Sequence, residues 1–165
     1  MFAFKKAQTL IEVITVLGII TMALVAILSL GAASINFSGQ SKEEVIASNL
    51  AREGIEILRS FRDDNWLINE DAFKNLDDGY WVINYNDPGL EDLADSNDIS
   101  ACANCQLYFK EGFYNHDSEG VITPYKRLIN IITNGDGKKV ISRVSWIAKN
   151  QTKNFSLETY LTDWR

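Results

Sequence analysis

Between Glu12 and Lys42 the chain carries no charged residue. Within that interval residues 13–33, VITVLGIITMALVAILSLGAA, form a run long and apolar enough to cross a bilayer as one helix, which takes about 20 such residues. Val13, Leu17, Ile20, Leu24 and Ile27 step along it at helical spacing and are expected inside the membrane. One carboxylate, Glu12, stands at its entrance. An ionised group in a hydrocarbon-length helix costs several kcal/mol unless something pairs with it, so Glu12 needs a partner.

Residues 1–7, MFAFKKA, place Lys5, Lys6 and then small Ala7 ahead of the apolar run. A secretory signal peptide has its small-residue cleavage site after the apolar region instead. Gln8-Thr9-Leu10-Ile11-Glu12-Val13-Ile14 behind this short lysine-containing leader resembles the cleavage and methylation segment of type IV prepilins and type II secretion pseudopilins. The resemblance covers about the first 30 residues. It implies that a membrane aspartyl peptidase cuts between Ala7 and Gln8, that the same enzyme N-methylates Gln8, and that Glu12 becomes the fifth mature residue. The family commonly has Gly before the cut and Phe or Met after it, where this chain has Ala7 and Gln8.

At 165 residues the chain has room for one membrane helix and one modest domain. Its 16 basic residues face 22 acidic ones for a net charge of −6, and the balance is more acidic still once Lys5 and Lys6 are set aside. Such a surface argues against a nucleic-acid reader, which shows a basic patch or stripe. Lys5 and Lys6 before the span, with Glu43 and Glu44 after it, put the domain outside the cytoplasm. There, disulfides persist.

Beyond the span, Ile46, Leu50, Gly54, Ile57 and Phe61 recur at steps of three and four, which predicts an amphipathic helix over 42–63 with one face to bury. No proline interrupts residues 8–64, so a single helix of about 55 residues is expected, roughly 80 Å long, with Gly31 and Gly39 as its weak points. REGIEILRSFRDDNW, ending at Trp66, also resembles the stem of minor-pilin-type members of the family. The expected fold is α+β: a pilin-like lollipop whose long N-terminal helix, transmembrane in its first half, packs against a small antiparallel sheet. Its parts are a leader (1–7), an apolar assembly helix (8–35), an amphipathic half (36–64) and a head (65–165).

Residues 79–85, between Asp-Gly and Asp-Pro-Gly turn signals, read as the first strand. Residues 86–106 hold Asp87, Glu91, Asp92, Asp95 and Asp98 with no basic residue before Cys105, and read as an exposed acidic loop. Its carboxylates can attract Ca²⁺, but the ordered spacing of a calcium loop is missing. Cys102 and Cys105 have C-x-x-C spacing, compatible with a disulfide, half a zinc site or a redox pair. With His116 the one histidine and no βαβ pattern nearby, a small structural disulfide is the preferred reading. A meander completes the chain: 125–133, an Asn-Gly-Asp-Gly turn, 140–147, and 155–164, where Phe155, Leu157 and Leu161 alternate with polar residues.

Nothing in this inventory pairs a nucleophile with a base, cradles a phosphate or gathers metal ligands, so catalysis and a cofactor are not expected. The resemblance implies a minor-pilin-like structural subunit, anchored in the cytoplasmic membrane and then polymerised through its N-terminal helix into an extracellular filament. Its partners would be other pilin subunits, the prepilin peptidase/methylase, and the assembly platform and ATPase. A type II secretion pseudopilin and a signal-anchored extracytoplasmic binding domain are the alternatives.

Overall fold

The computed structural model describes the backbone of residues 3–87, 90 and 92–163, and the side chains among these from residue 10 onward. The chain divides into two compact units, Met1–Lys42 and Glu43–Arg165. A helix, α1, is assigned from Ala3 to Leu67. It therefore begins before and ends slightly after the predicted limits, and Gly31 and Gly39 are both helical.

Among the described residues of the first unit the helix has no other element to lie against. Its hydroxyls do not need one: Thr15, Thr21 and Ser29 each donate to the carbonyl three residues back, and Asn36 donates to Ala32. Polar side chains satisfied in this way stay compatible with an apolar surrounding.

The second unit is an α+β domain in which residues 43–67 of α1 pack against an open antiparallel sheet. Its strands are β1 (Gly79–Val82), β2 (Asp92–Leu93), β3 (Gln106–Lys110), β4 (Phe113–Asn115), β5 (Val121–Asn134), β6 (Gly137–Ala148) and β7 (Gln151–Thr162). β5 is the hub. One edge pairs with β6 from Tyr125 to Asn134; the other takes β3 toward its start and β1 toward its end. The β5–β6 turn falls on Gly135 and Asp136 inside the predicted Asn-Gly-Asp-Gly signal, with Gly135 at φ 60°.

The predicted strand at 125–133 starts four residues earlier than expected, running through Pro124. Pro124 cannot donate to the ladder, and the register slips there: Gln106 pairs with Lys126 but Tyr108 with Ile122. The side-chain amide of Gln106 bridges the gap, donating to the carbonyls of Thr123 and Tyr125. β1 is shorter than the predicted strand because the Asp87 carboxylate accepts from the Asn84 amide at 2.6 Å and turns the chain. Pro88, Gly89, Glu91 and Trp164, which figure in the predicted turn, acidic loop and last strand, lie outside the described residues.

Alternation along β5 separates two cores. Tyr125, Ile129 and Ile131 face the helix, where Ala47, Leu50, Ala51, Ile55 and Leu58 meet them together with Val140, Val144 and Leu161. Leu128 faces the other way, against Val82, Ile99, Cys102 and Cys105. The acidic segment is thus not simply an exposed loop. Its carboxylates at Asp92, Asp95 and Asp98 are exposed, while its apolar residues cover the second face of the sheet.

Gly54 sets the distance between helix and sheet. A Cβ there would lie 2.7 Å from Ile129 Cδ1 and 3.0 Å from Ser142 Oγ, inside a fully packed core. Gly54→Ala should therefore destabilise the domain by about 1–3 kcal/mol in chemical denaturation, despite alanine's better helix propensity. Gly39→Ala, where a Cβ meets nothing within 4 Å, should not.

Candidate functional site

Three arrangements bear on what this chain can do: the bare apolar helix, the ion pair that joins helix to sheet, and the cysteine loop. In the apolar stretch none of the most hydrophobic window is buried within the chain. Val13, Leu17, Ile20, Leu24 and Ile27 are all exposed, as are the residues between them on the remaining faces except half-buried Gly18. A helix apolar all round is stable only when covered, by lipid or by other helices. Glu12 is exposed among these residues, and its carboxylate has no ion-pair partner among the described residues. Ala7 and Gln8, the predicted cleavage and methylation positions, belong to the part of the helix whose side chains lie outside the described residues.

At the centre of the domain Arg127 is fully buried. Its Nη1 donates to Glu53 Oε1 at 3.0 Å and to the Leu50 carbonyl at 3.3 Å, and its Nη2 donates to the Ile83 carbonyl at 2.7 Å. Nε finds no partner among the described residues. One guanidinium therefore ties α1, β1's exit and β5 together through groups that its planar fork can reach at once. Sequence reasoning missed it, although the signal was present: Arg127 has the same strand parity as Tyr125, Ile129 and Ile131.

His116 stands close to this junction. Its amide donates to Asn84 Oδ1 at 2.7 Å and its Nδ1 lies 3.1 Å from the Gln106 carbonyl. Nε2 is buried with no partner among the described residues. Burial, reinforced by the positive charge of Arg127, pushes its pKa down to about 3, so the ring is neutral and Nδ1 is the donor.

Cys102 and Cys105 lie at disulfide distance, with Cα atoms 5.4 Å apart and both side chains fully buried. The loop around them is held by its own acid and by one lysine. Asp95 accepts from the amides of Ala103 and Asn104, Asp98 accepts from Ser100, and Lys126 Nζ reaches the carbonyls of Ser100 and Cys102 at 3.0 and 2.8 Å. These carboxylates serve the backbone of the loop. Among the described residues no group of three or more His, Cys, Asp or Glu side chains is gathered to hold a metal ion.

No family profile, curated protein or solved structure matches the chain. The α+β fold with its membrane-length apolar helix stands on the chain's own residues.

Two measurements follow from this junction. Arg127 is buried but the Glu53 side chain is 36% exposed, and the guanidinium keeps the Leu50 and Ile83 carbonyls, so Glu53→Ala should cost about 1–2 kcal/mol. The double variant Glu53→Ala/Arg127→Met should recover part of that loss in equilibrium unfolding, because it removes both charges and keeps most of the volume.

The second concerns acid. The folded protein keeps His116 neutral down to about pH 3, while the unfolded chain takes up a proton below its ordinary value of 6.5. The unfolded state binds more protons in that window, so stability is full above pH 6.5 and falls toward pH 3, by up to about 1.4 kcal/mol per pH unit. His116→Asn, which keeps a donor for Gln106, should flatten urea-unfolding stability between pH 6.5 and 4; an unchanged slope would assign it to other groups.

Proposed function

We propose that this chain is a structural subunit of a type IV pilus-type filament, resembling a minor pilin. In this reading a prepilin peptidase cuts before Gln8 and methylates the new terminus. The protein waits in the cytoplasmic membrane as a single-pass precursor with residues 43–165 outside the cytoplasm, and an assembly platform and its ATPase then pass it into an extracellular filament. It is not an enzyme and requires no cofactor.

The observation that carries the reading is a membrane-length helix whose apolar residues are exposed, with Glu12 unpaired among the described residues at the end that follows the short lysine-containing leader. In a bundle of such helices Glu12 is buried, and a buried carboxylate needs a cation. Lys5 and Lys6 leave with the leader. The α-amino group created at Gln8 is the cation at that depth, four residues away in sequence and best met on a neighbouring subunit. Cleavage thereby makes the charge that assembly consumes, which ties polymerisation to processing.

Two results test this in cells that assemble the filament. N-terminal mass analysis should find mature protein beginning at N-methylated Gln8; an intact Met1 would remove the reading. Glu12→Gln should leave membrane insertion and domain folding intact while sharply lowering the ratio of sheared extracellular protein to membrane protein. An unchanged ratio would remove the charge-pairing mechanism.

A further inference from the structure

The sheet ends on one side in short strands and on the other in a long one. β2 and β4 have 2 and 3 residues, whereas β7 has 12 and pairs only with β6. Lys149 and Asn150, at φ 49° and 61°, make the turn that joins β6 to β7. After a two-residue turn of this kind Gln151 and every second residue beyond it bond to β6. Thr152, Asn154, Ser156, Glu158 and Tyr160 therefore point their amides and carbonyls away from the sheet. Among the described residues no group bonds to those amides and carbonyls.

Proteins commonly blunt such an edge with a proline, a bulge or several charges. β7 has no proline, its register with β6 is unbroken, and of its two charges Glu158 is paired with Lys139 at 2.8 Å. Helix α1 flanks the edge on one face of the sheet, where Arg59 donates to Thr159 Oγ1 and Leu157 packs into the core. Between helix and strand is a cavity of about 300 Å³ lined by Arg52, Ile55, Glu56, Arg59, Leu157 and Thr159. Arg59 is paired with Glu56 at 2.7 Å, and exposed Arg52 has no ion-pair partner among the described residues. Two guanidiniums thus stand against one carboxylate. Further along the same flank Lys153 and Glu44 balance in charge and Arg62 is paired with Asp63, so the excess stays positive in a chain of net charge −6.

We propose that β7 takes an extended segment of another protein as an eighth strand, one that carries an Asp or Glu side chain into this cavity. An added strand completes the open ladder, and its alternate side chains fall on the helix side. The one level with Leu157 and Thr159 meets Arg52 and Arg59. Charge selects this occupant over a second copy, because pairing β7 with β7 would bring the same two arginines to the seam from both sides. Such a strand needs only residues 43–165 and stands or falls apart from the filament reading.

The probes are two capped, fluorescent peptides that alternate Thr and Val, one with Glu in place of its central Val and one with Lys there. With the full-length chain in detergent micelles, anisotropy should show the Glu peptide binding about tenfold tighter than the Lys peptide. The Glu peptide should also slow hydrogen exchange at the Asn154, Ser156 and Glu158 amides. Ser156→Pro removes an amide that β6 does not use, and should weaken the Glu peptide several-fold with the unfolding midpoint unchanged. Arg52→Glu, at an exposed residue, should leave folding intact and reverse the preference toward the Lys peptide. Absence of binding, or binding without protection in β7, would overturn the added strand; equal affinity for the two peptides would overturn the acidic occupant. A dimer in sedimentation that Ser156→Pro dissolves would assign the edge to a second copy instead.

Discussion

Apolar surface that a chain cannot cover with itself has to be covered by something else, and residues 13–33 present such surface on every side of one helix. The hydroxyls along the helix bond backward to their own backbone, so the stretch presents no unsatisfied group to lipid. Glu12 is the exception, and it sits at the boundary where a carboxylate can still reach water or headgroups.

The second unit solves a different problem, that of fastening a helix to a sheet in a small domain. Gly54 allows the backbone of α1 to come within contact distance of Ile129, and Arg127 then spans the gap to Glu53 and Leu50. The two features depend on each other. With a larger residue at position 54 the helix stands off and the guanidinium loses its carbonyl; without Glu53 the close approach buries a lone charge. A purely apolar contact would be at least as stable by the general behaviour of buried pairs. What the ion pair adds is register, because it is satisfied at one axial position of helix against strand.

Much of this was legible from residue patterns. The helix declared itself through hydrophobic length and then through three- and four-residue spacing, and β5 to β7 through the Asn-Gly turn and the alternation of Phe155, Leu157 and Leu161. β2, β3 and β4 are too short to show a period, and the start of β5 hides behind Pro124. The covering of the second sheet face was written in β5 all the same. Leu128, Ile129 and Ile131 put apolar residues on both sides of one strand, which occurs when both faces are buried. One helix covers one face. The loop carrying Ile99, Cys102 and Cys105 was the remaining material able to cover the other, but its carboxylates masked that role by making it read as solvated. At the N-terminus the structure adds nothing to the motif, since the side chains of Ala7 and Gln8 lie outside what it describes.

In the proposed filament the bare helix passes from lipid into a bundle of its own kind, and hydrophobicity cannot drive that step. Lipid tails are as apolar as leucine, so the aliphatic residues of 13–33 gain little by exchanging one for the other beyond better packing. The group whose free energy differs most between the two surroundings is Glu12. At the membrane face it is hydrated; inside the bundle it is costly alone and favourable when paired with the amine of a neighbour. The balance for assembly is thus concentrated on one carboxylate and one terminus that exists only after cleavage. The proposed exchange requires no change in the folded domain, because the residues that hold the domain together, Gly54, Glu53 and Arg127, take no part in it.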